Sequence, residues 1–172
     1  MSEKMAKGAV VNGYLKFVKK KWGIEGMQEA MKYAGINKLP KDGEWFPADA
    51  TTKVLKWIEE NKGLNYVVEA GRHASKDLGV FRYIVASFMS VERFLKRSRE
   101  TYSLLFNYGE FLIDHTNNGA IITIKNARHP EPSCYAWEGA LRGILEITRT
   151  KGSVERIDPD NPEDCKFRMT WE

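Results

Sequence analysis

The sequence predicts an α+β fold, in which an N-terminal helical lobe precedes a four-stranded antiparallel sheet with one helix packed on it. Three observations carry this. Over roughly the first hundred residues apolar side chains recur at spacings of three and four, the period of a helix. Beyond Phe106 the period falls to two, and an Asn-Gly pair separates two such runs. The chain then closes on CKFRMTW, whose alternate residues Cys165, Phe167, Met169 and Trp171 share one face of a strand. Helices gathered ahead of strands favour an antiparallel sheet, because a parallel one needs strands and helices in alternation.

Val10, Val11, Tyr14, Leu15, Val18 and Trp22 form one apolar stripe, with Lys16, Lys19 and Lys20 on the other side, and Gly23 ends this first helix. Met27, Ala30, Met31 and Ala34 make a second, short helix closed by Gly35, since glycine takes the left-handed conformation of a helix cap without strain. Residues 37–44 read as a loop, with Pro40 and the turn pair Asp42-Gly43. Pro47 and Asp49 open a third helix that buries Val54, Leu55 and Ile58 and stops at Gly63. A fourth runs through Tyr66, Val67 and Ala70 to Gly71, and a further helical stretch begins near His73.

The period over 80–106 is again helical and breaks near Ser90, whose hydroxyl suits the N-cap of a helix carrying Phe94, Leu95, Ser98, Thr101 and Tyr102. Its charged stretch ERFLKRSRE faces water. Strands over 110–115 and 120–125 flank the Asn-Gly turn, whose residues accept positive φ. Pro130 and Pro132 mark a loop, and Tyr135, Ala136, Leu141, Ile144 and Leu145 support a helix with Glu138 and Arg142 spaced for an ion pair. Residues 154–157 pair with the last strand, giving the order strand-strand-helix-strand-strand.

Composition bounds the function. The 172 residues carry 27 Lys and Arg against 23 Asp and Glu, a net charge of +4, with 42% apolar and 12% aromatic residues. Such a chain folds as a single domain, 1–172, divided into a helical lobe of about 1–106 and a sheet lobe of about 107–172. The longest apolar stretch, 83–89, is too short to cross a bilayer, and the N-terminus lacks the continuous apolar run of a secretion signal, so a cytoplasmic protein without a membrane partner is expected. The modest, dispersed charge argues against a nucleic-acid partner. The groups Lys19-Lys20-Lys21 and Arg93, Lys96, Arg97, Arg99 read as solvated faces.

Cys134 and Cys165 belong to no CxxC or Cys/His cluster and read as reduced thiols. As a metal pair they are weak candidates, because two thiolates leave a tetrahedral site half filled. His73, His115 and His129 are scattered, with His73 read as a surface or boundary residue. No metalloprotease, phosphate-loop, dinucleotide or nucleophile-elbow motif occurs, so the expected protein is not an enzyme.

The stretches KGAVVNGYLKFVKKKWGIEGMQEAMKYAG and WFPADATTKVLKWIEENKGLNYVVEAGRH, with the closing hairpins, resemble the heme-nitric oxide/oxygen binding (H-NOX) fold over nearly the whole chain. Gly71-Arg72 is the most family-like local motif. The C-terminal half, with Cys134-Tyr-Ala-Trp-Glu-Gly139, Gly143 and the final Cys-x-Phe strand, is also similar to 4-vinyl reductase-type small-molecule-binding domains and to H-NOX-like proteins without the heme histidine. The resemblance implies a ligand cavity between a helical and a sheet lobe. It places Tyr102 where the family has its proximal heme histidine, and the family's Tyr-x-Ser-x-Arg propionate motif is missing between Ala120 and Trp137, where Lys125 and Arg128 are the nearest bases. Tyrosine is a poor substitute for neutral imidazole on ferrous iron, so heme is the alternative cofactor and not the favoured one.

The expected function is therefore a non-catalytic sensory or regulatory protein. It holds an apolar or tetrapyrrole-like ligand between its lobes, lined by Tyr14, Val10, Leu78 and Tyr102, and is read by a signalling partner. Gly71 is the expected hinge. The alternatives are a heme-based gas or redox sensor using Tyr102, an enzyme acting on a tetrapyrrole, and a structural assembly module.

Overall fold

The protein's structure, a computed structural model, describes residues 2–77, 89–128 and 131–172. The expectations for Leu78 and for residues 80–88 fall outside these.

The two helices read at the N-terminus are one element, α1 (Gly8–Ala34), bent where Gly23 takes φ 74° and Trp22 leaves helical geometry at φ −130°. Gly23 thus does interrupt the helix, as a kink between two halves. Gly35 ends it at φ 71°, and the following amide of Ile36 donates to the Met31 carbonyl at 2.8 Å. A two-stranded ribbon, β1 (Met5–Lys7) against β2 (Trp45–Pro47), brackets the start of α1. Strands of three residues are too short for a period to show in the sequence. Then follow α2 (Ala48–Lys62), stopped at Gly63 with φ 103°, and α3 (Leu64–Asp77). The expected helix end at Gly71 is corrected: Gly71 lies inside α3, buried, with the helix continuous through it.

Ser90 caps α4 (Val91–Leu105), its Oγ accepting from the amide of Arg93 at 3.4 Å. Next come β3 (Glu110–Thr116), β4 (Gly119–Lys125), α5 (Pro132–Ile147), β5 (Gly152–Ile157) and β6 (Cys165–Trp171). The sheet is antiparallel throughout, in the order β3-β4-β6-β5. Its two central strands pair Ala120 with Met169, Ile122 with Phe167 and Ile124 with Cys165, and these side chains are buried in one layer. The β3–β4 turn forms without the positive φ expected of it. Among the described residues positive φ outside glycine occurs at Asn126 and Arg149, so Asn117 and Asn118 turn the chain without it. Gly119 is required for another reason, because a Cβ there would overlap the carbonyl oxygen of Met169 on β6.

Two apolar cores result. One gathers Val11, Leu15 and Val18 of α1 with Val54, Leu55 and Ile58 of α2 and Val67 of α3. The other gathers Phe94, Leu95 and Tyr102 of α4 with the sheet and with Leu141, Ile144 and Leu145 of α5. By packing, α4 belongs with the sheet, so the boundary between lobes falls ahead of Val91 rather than at Phe106. Helix α5 serves both: Leu141 and Ile144 face the sheet core while Ala136 packs into the helical one.

Candidate functional site

Where the two cores meet, five segments enclose a cavity of about 60 Å³. Helical period explains each contribution. Val10 and Tyr14 stand one turn apart on α1, Gly71, Ala74 and Ser75 on α3, and Ser98, Tyr102 and Leu105 on α4, while Ala136, Ala140 and Ile144 form one row of α5 and Trp137 and Leu141 the next. Phe106 and Phe111 complete the wall. Small residues on α3 and α5 leave the space, and an aromatic cluster closes its side. Tyr102 stacks on Phe106 at 4.8 Å between centroids, with Trp137 5.7 Å from Tyr102 and 5.6 Å from Phe106.

The lining is almost wholly apolar, and its few polar atoms are spent or neutral. Ser75 Oγ donates to the Arg72 carbonyl and Ser98 Oγ to the Phe94 carbonyl, both at 2.9 Å. Burial, and then the neighbouring Tyr108, raises the pKa of both Tyr14 and Tyr102 well above the usual phenol value. Tyr108 itself is pushed up to about 12 by burial. All three phenols therefore stay protonated across the physiological range. Tyr102 directs its hydroxyl at the turn after α4, where a Cβ on Gly109 would lie 2.8 Å from it.

Four of the five residues singled out from the sequence meet on this cavity: Val10, Tyr14, Gly71 and Tyr102. Leu78 lies outside the described residues. Trp137, Phe106 and Phe111 also line the cavity and are not among the residues singled out from the sequence, although the helical period of α5 is legible there. Gly71 is explained by a close approach: a Cβ there would overlap the carbonyl oxygen of Ala136 on α5. His73 stands apart, packed at 5.7 Å on the ring of Phe17.

The cysteine expectation is corrected. Cys134 and Cys165 are joined by a disulfide, Cα atoms 5.5 Å apart, that ties the first turn of α5 to β6. Thirty-one positions separate them in sequence, and only the seating of α5 on the sheet brings them together. With both sulfurs bonded they offer no thiolate to a metal, and no cluster of three or more His, Cys, Asp or Glu occurs among the described residues. No helix among those residues is long and apolar enough to cross a membrane.

No protein-family model matches the sequence, and no curated protein matches it significantly. The likeness is structural. The chain superposes on an oxygen-binding H-NOX domain related to soluble guanylate cyclases with a TM-score of 0.74 at 15% identity, covering 96% of this chain and 95% of that one. A point mutant of the T. tengcongensis H-NOX gives 0.76 at 15% identity, with 96% and 97% covered. A structure described as modulating heme redox potential through protein-induced porphyrin distortion gives 0.76 at 15% identity, with 96% and 95% covered. The fold is that of the H-NOX domains.

That fold implies heme, and the residues present do not fit it. An engineered cavity of about 150 Å³ is filled by benzene alone, so a space of about 60 Å³ is far too small for a porphyrin. Tyr102, the candidate ligand from the sequence, is protonated and aims at Gly109, and its ring is stacked into the aromatic cluster. Among the described residues, Tyr14 is the one other side chain of a heme-ligating type on the cavity, and burial keeps it protonated as well.

Proposed function

We propose that this chain is a non-catalytic, sensory or regulatory small-molecule-binding domain whose ligand is a small apolar molecule held between the lobes. The observation that carries this reading is the cavity itself. It is apolar, it lies at the junction of α1, α3, α4 and α5, and its walls come from both cores. A genuinely apolar void stays dry and takes apolar guests such as xenon. Its size favours a small guest over the tetrapyrrole-like ligand considered from the sequence. Occupancy would bear on α3 and α5 at once, which gives a partner protein a change of packing to read.

Xenon is the probe that tests it. Methyl resonances of Ala136, Ala140 and Ile144 should shift saturably as xenon pressure rises, and the shift should vanish in Ala140→Leu, which fills the space. Unsaturable shifts, or shifts that survive in the filled variant, would overturn the reading.

A further inference from the structure

The disulfide borders an open pocket. Cys165 is 1% exposed, sealed in the sheet opposite Ile124, whereas Cys134 is only half-buried in the first turn of α5. Both border an open polar pocket of about 250 Å³ whose rim carries Arg128, Arg156 and Lys166 together with Glu131, Asp158 and Asp164. The pocket is distinct from the cavity between the lobes and shares none of its lining. A small thiol entering it reaches one sulfur before the other. The rim's mixed charges suit a zwitterionic thiol, one carrying both carboxylate and ammonium groups.

We propose that the Cys134–Cys165 bridge is a thiol–disulfide exchange site for low-molecular-weight thiols, with Cys134 the sulfur attacked and Cys165 the one released. In the opening step the small thiol loses its proton to solvent and its thiolate attacks Sγ of Cys134. The Cys134–Cys165 bond breaks, a mixed disulfide forms on Cys134, and the Cys165 thiolate takes a proton. A second thiolate attacks the small-molecule sulfur of that mixed disulfide. It leaves as the oxidised small-molecule disulfide, and Cys134 is freed as thiolate and takes up a proton. Two electrons have passed from two small thiols to the bridge. Closure reverses these steps, and the position of Cys134 in the first turn of a sixteen-residue helix favours its thiolate as the nucleophile.

The bridge also fastens α5 to the sheet two residues from Ala136 and three from Trp137, both of which wall the cavity. Opening it frees that end of α5. The consequence for ligand binding rests on the cavity being the ligand site; the exchange chemistry does not.

The test uses the full chain and glutathione. Folded protein is held in reduced glutathione, quenched in acid, alkylated and weighed intact, and the variants Cys165→Ser and Cys134→Ser are given glutathione disulfide. Circular dichroism confirms that both variants fold. The expected result is that the bridge opens in the folded protein at a rate that urea below the unfolding transition leaves unchanged. The glutathione adduct on Cys134 in Cys165→Ser should form on the order of ten-fold faster than the adduct on Cys165 in Cys134→Ser. Opening that tracks the rate of global unfolding, or equal or reversed adduct rates, would overturn the proposal. Amide exchange over 133–137 should rise on reduction, and unchanged exchange would remove the fastening of α5. The xenon experiment, repeated on reduced protein, reads the cavity separately, so failure of one assignment leaves the other standing.

Discussion

Gly71 of α3 and Ala136 of α5 meet backbone against backbone: a Cβ on Gly71 would overlap the Ala136 carbonyl oxygen, and a Cβ on Gly139 would overlap the carbonyl oxygen of Val68 in return. Alanine in a helix gains about 1 kcal/mol over glycine. Overpacking a site that cannot yield costs about 1–3 kcal/mol, and a backbone carbonyl cannot rotate aside. Gly71→Ala and Gly139→Ala should therefore each lower stability to urea by up to about 2 kcal/mol. Gly143→Ala should cost less, because the atom in its way is the hydroxyl of Ser75, which can turn. Equal costs at the three positions would show that the helices do not touch as described.

Glu138 of α5 is 8% exposed, and its carboxylate binds Arg142 one turn along the helix and Nε of Arg156 from β5 at 2.7 Å. The Arg156 guanidinium lies 3.7 Å over the ring of Tyr135, so one cation ties helix to sheet by both charge and stacking. Replacing Glu138 by Gln keeps the shape and removes the charge-assisted bonds, at an expected cost of about 1.5–3 kcal/mol in urea unfolding. The contrast is Arg168→Gln. Its pair with Glu155 is exposed on both sides, and its loss should cost about 0–1 kcal/mol.

What the sequence revealed follows from range. Periods are local, so the stripe of Val10, Tyr14 and Leu15, the cap at Ser90, the stop at Gly63 and the alternation of Cys165 to Trp171 could all be read before any contact was known. The Glu138–Arg142 pair, four residues apart, belongs to the same class. The approach of α3 to α5 does not, and so Gly71 looked like a helix end when it is the place where two backbones touch. The bridge between Cys134 and Cys165 was hidden for the same reason: it depends on which face of α5 meets β6. Val10, Tyr14 and Tyr102 were found through resemblance to a fold, whereas Trp137 and Phe111 reach the cavity by packing that no local pattern records.

His73 gives the fold a dependence on pH. Burial lowers its pKa, and Lys20 and Lys16 of α1 act in the same direction, against Asp77 one turn along α3 and the backbone at Gly13. Its Nδ1 is buried and makes no hydrogen bond among the described residues. A histidine with a folded pKa below its unfolded value of about 6.5 binds protons better in the unfolded chain. Stability is then complete above about pH 6.5 and declines as the pH falls through that value towards the folded pKa. Urea midpoints at about pH 7.5 and about pH 5.5 should differ more for the native chain than for His73→Gln. Equal differences would exclude His73 as the source.

Tyr102 decides whether heme can be held, because it is the candidate ligand that the resemblance singles out. Hemin added to the purified chain should give no saturable Soret band, and Tyr102→Phe should leave the spectrum as it was. The stronger test is Tyr102→His, which puts an imidazole at the position where the resemblance expects one. If the side chain at that position alone kept heme out, this variant would bind it. The cavity of about 60 Å³ says otherwise, because Phe106, Phe111 and Trp137 remain packed around the site whatever stands at 102. Tyr102→His should therefore bind no hemin and should lose stability, since burying a polar imidazole among these rings without a partner costs about 1–3 kcal/mol. A Soret band in Tyr102→His but not in the native chain would make ligand identity the barrier. A band in the native chain that Tyr102→Phe abolishes would make this a heme protein after all.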